Sequence, residues 1–179
     1  EGFLSANETQ TGAEMLALLD EALKLENSFS AAHYLVSDVW RLQITPSRPE
    51  SGALGKTTHE ALNSFHKAIS DAIQTASNNE DKQLYRAVQA LVDMRLRDST
   101  ALLQEYLAVR PNDFYAWRLF TDLVWITHEP VTLDQVLAHH KQRMVFEPLN
   151  ATEYVNVAFI KEDKREAVEV AREAIQRWP

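Results

Sequence analysis

A chain of 179 residues with 45% hydrophobic and 25% charged side chains can bury a core without staples, and its composition excludes a disordered or collagen-like chain. It has no Cys, which removes thiolate metal sites, thiol nucleophiles and disulfides. Its net charge of −8, from 18 Lys and Arg against 26 Asp and Glu, argues against phosphate-backbone binding, and no apolar run approaches the ~18–20 residues of a membrane span.

The length predicts one domain over residues 1–179. The breakers organise it. Only four Gly and six Pro are present, and Pro46, Pro49, Gly52 and Gly55 gather in one stretch, Ile44–Lys56. The segments between breakers are rich in Ala, Leu, Glu, Gln, Lys and Arg, with no sustained alternation and no hairpin turn pair, so the expected class is all-α. About nine helices follow in chain order. The first runs over Gly12–Leu25 with Met15, Leu18, Leu19, Ala22 and Leu25 on its stripe, and the second over Ser30–Gln43. Residues 44–56 form an inserted, flexible surface loop. Further helices are expected at Thr57–Ser77, Glu80–Arg97, Ser99–Val109 and Phe114–Thr127. The last three are Leu133–Phe146, opened by Thr132 as N-cap, Thr152–Lys161 and Asp163–Arg177.

The helices share an internal ladder. The last helix carries Ala167, Ala171 and Ala174 and ends at Pro179, at offsets of four, three and five. The same offsets connect Met15, Leu19, Ala22 and Asn27. They recur at Ala61, Phe65, Ala68 and Ile73, at Ser99, Leu103, Tyr106 and Pro111, and at Val136, His140, Arg143 and Pro148. Residues three and four apart share a helix face, and small ones let a second helix come close. The Pro ends one helix and starts the next. Trp117 stands six residues after Pro111, Tyr154 six after Pro148 and His33 six after Asn27.

This pattern resembles the tetratricopeptide repeat, a helix-turn-helix unit, over essentially the whole chain. The family's Gly in the first helix is replaced by Ser37, Thr121 and Ala158, and the 44–56 insertion interrupts the second unit. The resemblance implies a right-handed superhelix of stacked helix pairs whose first helices line a concave face. By that phase Asp38, Arg41, Tyr85, Gln89, Arg118, Asp122, Trp125 and Phe159 point into the groove. The opening phrase, from GFLSANETQ to SAAHYLVSDVW, resembles the helical output regions of CadC-type transcription regulators and of bacterial cyclase-like regulators. It implies a piece of a larger regulator, and the start at Glu1 inside a repeat agrees with a processed or excised chain.

Catalytic chemistry finds no footing in the sequence. His139 and His140 are adjacent and point about 100° apart on a helix. His59, Asn63 and His66 share a face, but no carboxylate joins them at ligand spacing, so core or surface histidines are the plainer reading and no metal or cofactor is expected. There is no phosphate-binding Gly loop and no nucleophile elbow. Acidic pairs such as Glu162–Asp163 and Glu166–Glu169 lie at helix ends and on solvated faces. The expectation is a non-enzymatic interaction or regulatory domain that binds a protein or peptide segment, or a second copy of itself, with no nucleic-acid contact. The alternative is a small-molecule-sensing domain controlling an attached regulator or cyclase module, for which an enclosed apolar cavity would speak. Cytoplasm and periplasm are equally compatible with the sequence.

Overall fold

The structure, a computed structural model, describes residues 2–44, 54, 56–127, 130–143, 154–155, 157–158 and 164–177. The described residues are helical or in turns, with no strand among them. The helices are α1 (Gly2–Leu25), α2 (Ser30–Arg41), α3 (Thr58–Thr75), α4 (Asn79–Val92), α5 (Leu96–Val109), α6 (Phe114–Thr127), α7 (Pro130–Arg143) and α8 (Lys164–Arg177). Tyr154, Val155, Val157 and Ala158 are also helical, where the sequence predicts a helix between α7 and α8. The chain divides into two compact units, Glu1–Met94 and Arg95–Pro179.

In the first unit α1 packs on α2, α2 on α3 and α3 on α4. The buried layer is the expected one on α3 and α4: Ala61, Phe65, Ala68 and Ile69, then Leu84, Ala87, Val88 and Leu91. Small Ala side chains at these contacts let the helix axes approach closely. Two helix starts are chemically specified. The Thr57 hydroxyl accepts from the Glu60 amide while the Glu60 carboxylate accepts from the Thr57 amide, a capping box that opens α3. Those hydrogen bonds, first to the Thr57 backbone and then to its hydroxyl, hold the Glu60 carboxyl below its ordinary range. The Asn78 side chain accepts from the Asp81 amide at 2.7 Å and opens α4.

In the second unit α5 packs on α6 and α6 on α7. Ser99, Leu103 and Tyr106 are buried on α5, Ala116, Leu119, Phe120, Leu123 and Val124 on α6, Val136 and His140 on α7, and Ala167 and Val170 on α8. Tyr154 is buried and donates its hydroxyl to the Glu166 carboxylate, which also pairs with Lys141 at 3.1 Å. One acidic residue of α8 thereby holds both α7 and the helical residues before α8.

Several expectations need correction. The first helix does not begin at Gly12; it runs through Gly12 from Gly2. A methyl placed on Gly12 would sit 3.6 Å from Leu54 Cδ2 and 3.9 Å from Val39 Cγ1, ordinary packing distances, so this Gly is a contact point rather than a stop. The stripe proposed for this helix is not a core stripe throughout, because Met15, Leu18 and Leu25 are exposed. The expected helix over Glu80–Arg97 is two helices, α4 and the start of α5. Met94 breaks it with φ 58. Its amide bonds the Leu91 carbonyl at 3.1 Å, and Asp93 caps onto Gln89. Thr132 is inside α7 rather than its cap, since the helix starts at Pro130, where a missing amide costs nothing. At the last helix Ala167 is buried, but Ala171 and Ala174 are half-buried. Of the predicted loop at 44–56, residues 45–53 and 55 lie outside the described residues. Its described far end is held: Lys56 Nζ lies 4.6 Å over the Trp40 ring, and Leu54 meets Gly12.

Met94 is an exposed side chain in the left-handed region, where an L residue costs ~1 kcal/mol and Gly costs nothing sterically. Met94→Gly is expected to raise the stability of the first unit by up to ~1 kcal/mol. Denaturant melts of the two proteins check this, and a lower midpoint for the variant would contradict it.

Candidate functional site

Two of the turns between helices, α1–α2 and α5–α6, are locked by one repeated device. Trp117 Nε1 donates to the Pro111 carbonyl at 2.9 Å, and His33 Nε2 contacts the Asn27 carbonyl at 2.8 Å. In both cases a ring nitrogen reaches the breaker residue six positions back. The carbonyl there lies in the turn beyond the helix end and outside either helical ladder, so the contact gives it a partner and fixes the entry angle of the next helix. In the second unit Asp113 adds to the lock. It caps α6 by accepting from the Ala116 amide at 3.1 Å, and it accepts from the Tyr106 hydroxyl at 2.6 Å.

The positions where the repeat family carries Gly are all buried: Ser37, Thr121 and Ala158. The two hydroxyls are made buriable by folding back on their own helices. Ser37 Oγ donates to the Tyr34 carbonyl at 2.6 Å and Thr121 Oγ1 to the Trp117 carbonyl at 3.1 Å. With its proton on Trp117, the Thr121 oxygen accepts from the buried His140 Nε2 at 3.1 Å. His139, next in sequence, stacks on the Trp117 ring at 3.9 Å between centroids. The His pair is thus a packing and positioning element between α6 and α7. His66 faces Asp93 at 3.4 Å. Among the described residues no group of three His, Asp or Glu is placed to hold a metal ion.

The residues predicted for a groove fall into distinct situations. In the first unit Asp38 and Arg41 are mostly buried and bonded to each other at 2.8 Å. Gln89 is half-buried. Tyr85 is only 4% exposed and stacks on Tyr34 at 4.7 Å, so its ring is committed to the α2–α4 contact and presents no free face. In the second unit Arg118 is exposed, Asp122 is half-buried and Trp125 is 47% exposed. Phe159 lies outside the described residues. The sequence reading missed Tyr115 and Ile126. Both are exposed, and at about 100° per residue they fall on the same side of α6 as Arg118, Asp122 and Trp125. Their signal was present in the period of the helix, since 115, 118, 122 and 125 step by three, four and three.

The α6 face is therefore two aromatic rings and an isoleucine around an Arg and an Asp. That combination suits the side chains and backbone of an extended or helical segment. A concavity of about 410 Å³ lies at the α5–α6 turn, walled by Val109, Arg110, Pro111, Asn112 and Asp113. Five consecutive residues of one turn make an open surface hollow, not the enclosed apolar cavity of a small-molecule sensor.

No family model matches the chain, and no curated protein matches it. Among solved structures it is similar to YrrB, described as a TPR protein with an unusual peptide-binding site. The TM-score is 0.51 with 19% identity, covering 97% of this chain and 83% of that one. The fold is tetratricopeptide-like. The all-helical array that the ladder predicts is thereby shown, with the ring six residues after Asn27 and after Pro111 as its local signature. Among the described residues no helix is long and apolar enough to cross a membrane.

Two measurements check the packing roles. Trp117→Phe keeps the ring but deletes the hydrogen bond to Pro111, and should cost about 0.5–1.5 kcal/mol. Trp117→Ala should cost about 3–5 kcal/mol. Equal melting temperatures for wild type and Trp117→Phe would dismiss the turn lock. Burial raises the Tyr85 phenol above its ordinary value of 10.0, opposed by a hydrogen bond from Ser30 and reinforced by the Asp81 carboxylate. The unfolded chain ionises first, so stability is intact below about pH 10 and falls as pH rises through the raised value. Alkaline denaturation should therefore be less steep in Tyr85→Phe; identical profiles would exclude Tyr85 as the titrating group.

Proposed function

We propose that the protein is a non-enzymatic interaction module that binds a protein or peptide segment along the outward face of α6. Trp125 carries this reading. A tryptophan left 47% exposed, with Tyr115 and Ile126 exposed on the same side of the helix, gives up burial that folding alone would favour. Arg118, one helical stripe away, can pair with a carboxylate of the segment, and Asp122 can take its amide or basic groups. Tyr115 and Ile126 extend the apolar contact at either end. Segment binding needs no cofactor. The wider likeness to transcription regulators and cyclase-like regulators gains no support from the comparisons, and the proposed role ends at recognition.

Peptides selected from a random library on the whole chain provide the probe. Trp125→Ala should weaken their binding by at least ~2 kcal/mol and leave the melting temperature within a degree or two of wild type. Arg118→Ala should weaken chiefly the acidic peptides, and more at low salt than at high. Unchanged affinity in Trp125→Ala would remove the α6 face as the binding surface. A loss of stability of about 3–5 kcal/mol would make Trp125 a structural residue instead.

A further inference from the structure

We propose that α1 carries a second, independent docking surface, and that its occupant is an amphipathic helix with an apolar seam flanked by Lys or Arg. The starting point is the width of the apolar arc on α1. At about 100° per residue, the arc from Leu25 through Leu18, Ala22, Met15, Leu19, Gly12 and Leu23 to Leu16 covers about half the helix circumference. Packing on one neighbour needs a stripe of only ~100°.

The two halves of this arc have different fates. Gly12, Leu16, Leu19 and Leu23 are half-buried, with Gly12 against Val39 of α2 and Leu54. Met15, Leu18 and Leu25 are 43%, 68% and 90% exposed. Phe29, in the turn that follows, is exposed as well. The exposed Met15, Leu18 and Leu25, with the half-buried Ala22 between them, step by three, four and three, which is the seam spacing of one helix lying along another. α2 cannot use this seam, because it already takes the other half of the arc.

Charge decides the occupant. From Thr11 to Glu26 the acids are Glu14, Asp20, Glu21 and Glu26, and Lys24 is the one base. If Met15 and Leu18 are read as the a and d positions of a heptad, Glu14 and Glu21 take the g positions, while Glu26, just past the helix end, turns its carboxylate to the Ser28 amide and hydroxyl. The g positions are flanks that face a partner helix. A second copy of α1 laid antiparallel would set Glu14 against Glu21. Like charges at those positions repel, which disfavours antiparallel self-pairing. A partner helix with Lys or Arg at its own flanks meets them with opposite charge.

Two synthetic peptides test this on the whole chain: one with a Leu seam flanked by Lys, one with the same seam flanked by Glu. Fluorescence anisotropy should show binding of the Lys-flanked peptide that weakens as salt is raised. Leu18→Gln/Leu25→Gln, a double change at exposed positions, should weaken that binding at least about tenfold, with helicity and melting temperature unchanged. Trp125→Ala should leave it untouched, which separates this surface from the one on α6. Equal binding of the Glu-flanked peptide, or wild-type affinity in the double variant, overturns the proposal. So does a concentration-dependent dimer in sedimentation that the double variant dissolves, since it would make a second copy the occupant.

Discussion

At two turns a carbonyl just beyond a helix end has no helical partner, and the direction of the next helix depends on how that group is satisfied. At Pro111 and Asn27 the answer is a ring nitrogen six residues further on, from Trp117 and from His33. A Pro or Asn alone would only stop a helix. The ring contact ties the stop to the first turn and a half of the following helix, so the exit of one element sets the direction of the next. A planar ring with a nitrogen at its edge makes this contact from Trp at one turn and from His at the other, whereas Tyr154, six residues after Pro148, donates its hydroxyl to Glu166 instead. The nitrogen-bearing ring is also partly or largely buried, so the turn and the core are stabilised together. His139 stacking on Trp117 shows the coupling, because a residue of α7 then rests on the side chain that holds the α5–α6 turn.

Close helix approach is the second requirement, and it is met by small side chains whose polar atoms are hidden. Ser37 and Thr121 stand where Gly would serve, yet each keeps its hydroxyl satisfied within its own helix. Thr121 goes further and receives the His140 ring across the α6–α7 contact. A hydroxyl with two partners at a buried helix contact gives direction to packing that apolar contacts alone leave free. Leu or Val at these positions would be too large or would leave His140 without its acceptor.

The outward surfaces follow a different logic. On α6 the exposed residues mix rings with a charge of each sign, which suits recognition of a varied segment. On α1 they are aliphatic with an acidic border, which suits a helix laid lengthwise. Both faces cost the isolated protein the burial it forgoes at Trp125 and Leu18. The acidic balance of the chain, −8 overall, sets the sign of what either face attracts over distance.

The sequence by itself determined the all-helical class, most helix positions and the repeat, because period, breakers and the six-residue aromatic offset are local properties of the chain. It also placed Trp125 off the Trp117 stripe, since angle on a helix follows from spacing. It could not see the break at Met94, because a Met carries no signal for the left-handed conformation that only its surroundings impose. Nor could it tell that Tyr85 would be taken up by Tyr34, a contact between helices far apart in sequence. The same limit applies to Met15, Leu18 and Leu25. Their spacing reads as a core stripe, and only tertiary packing, which set the other side of α1 against α2, decided that Met15, Leu18 and Leu25 would face outward.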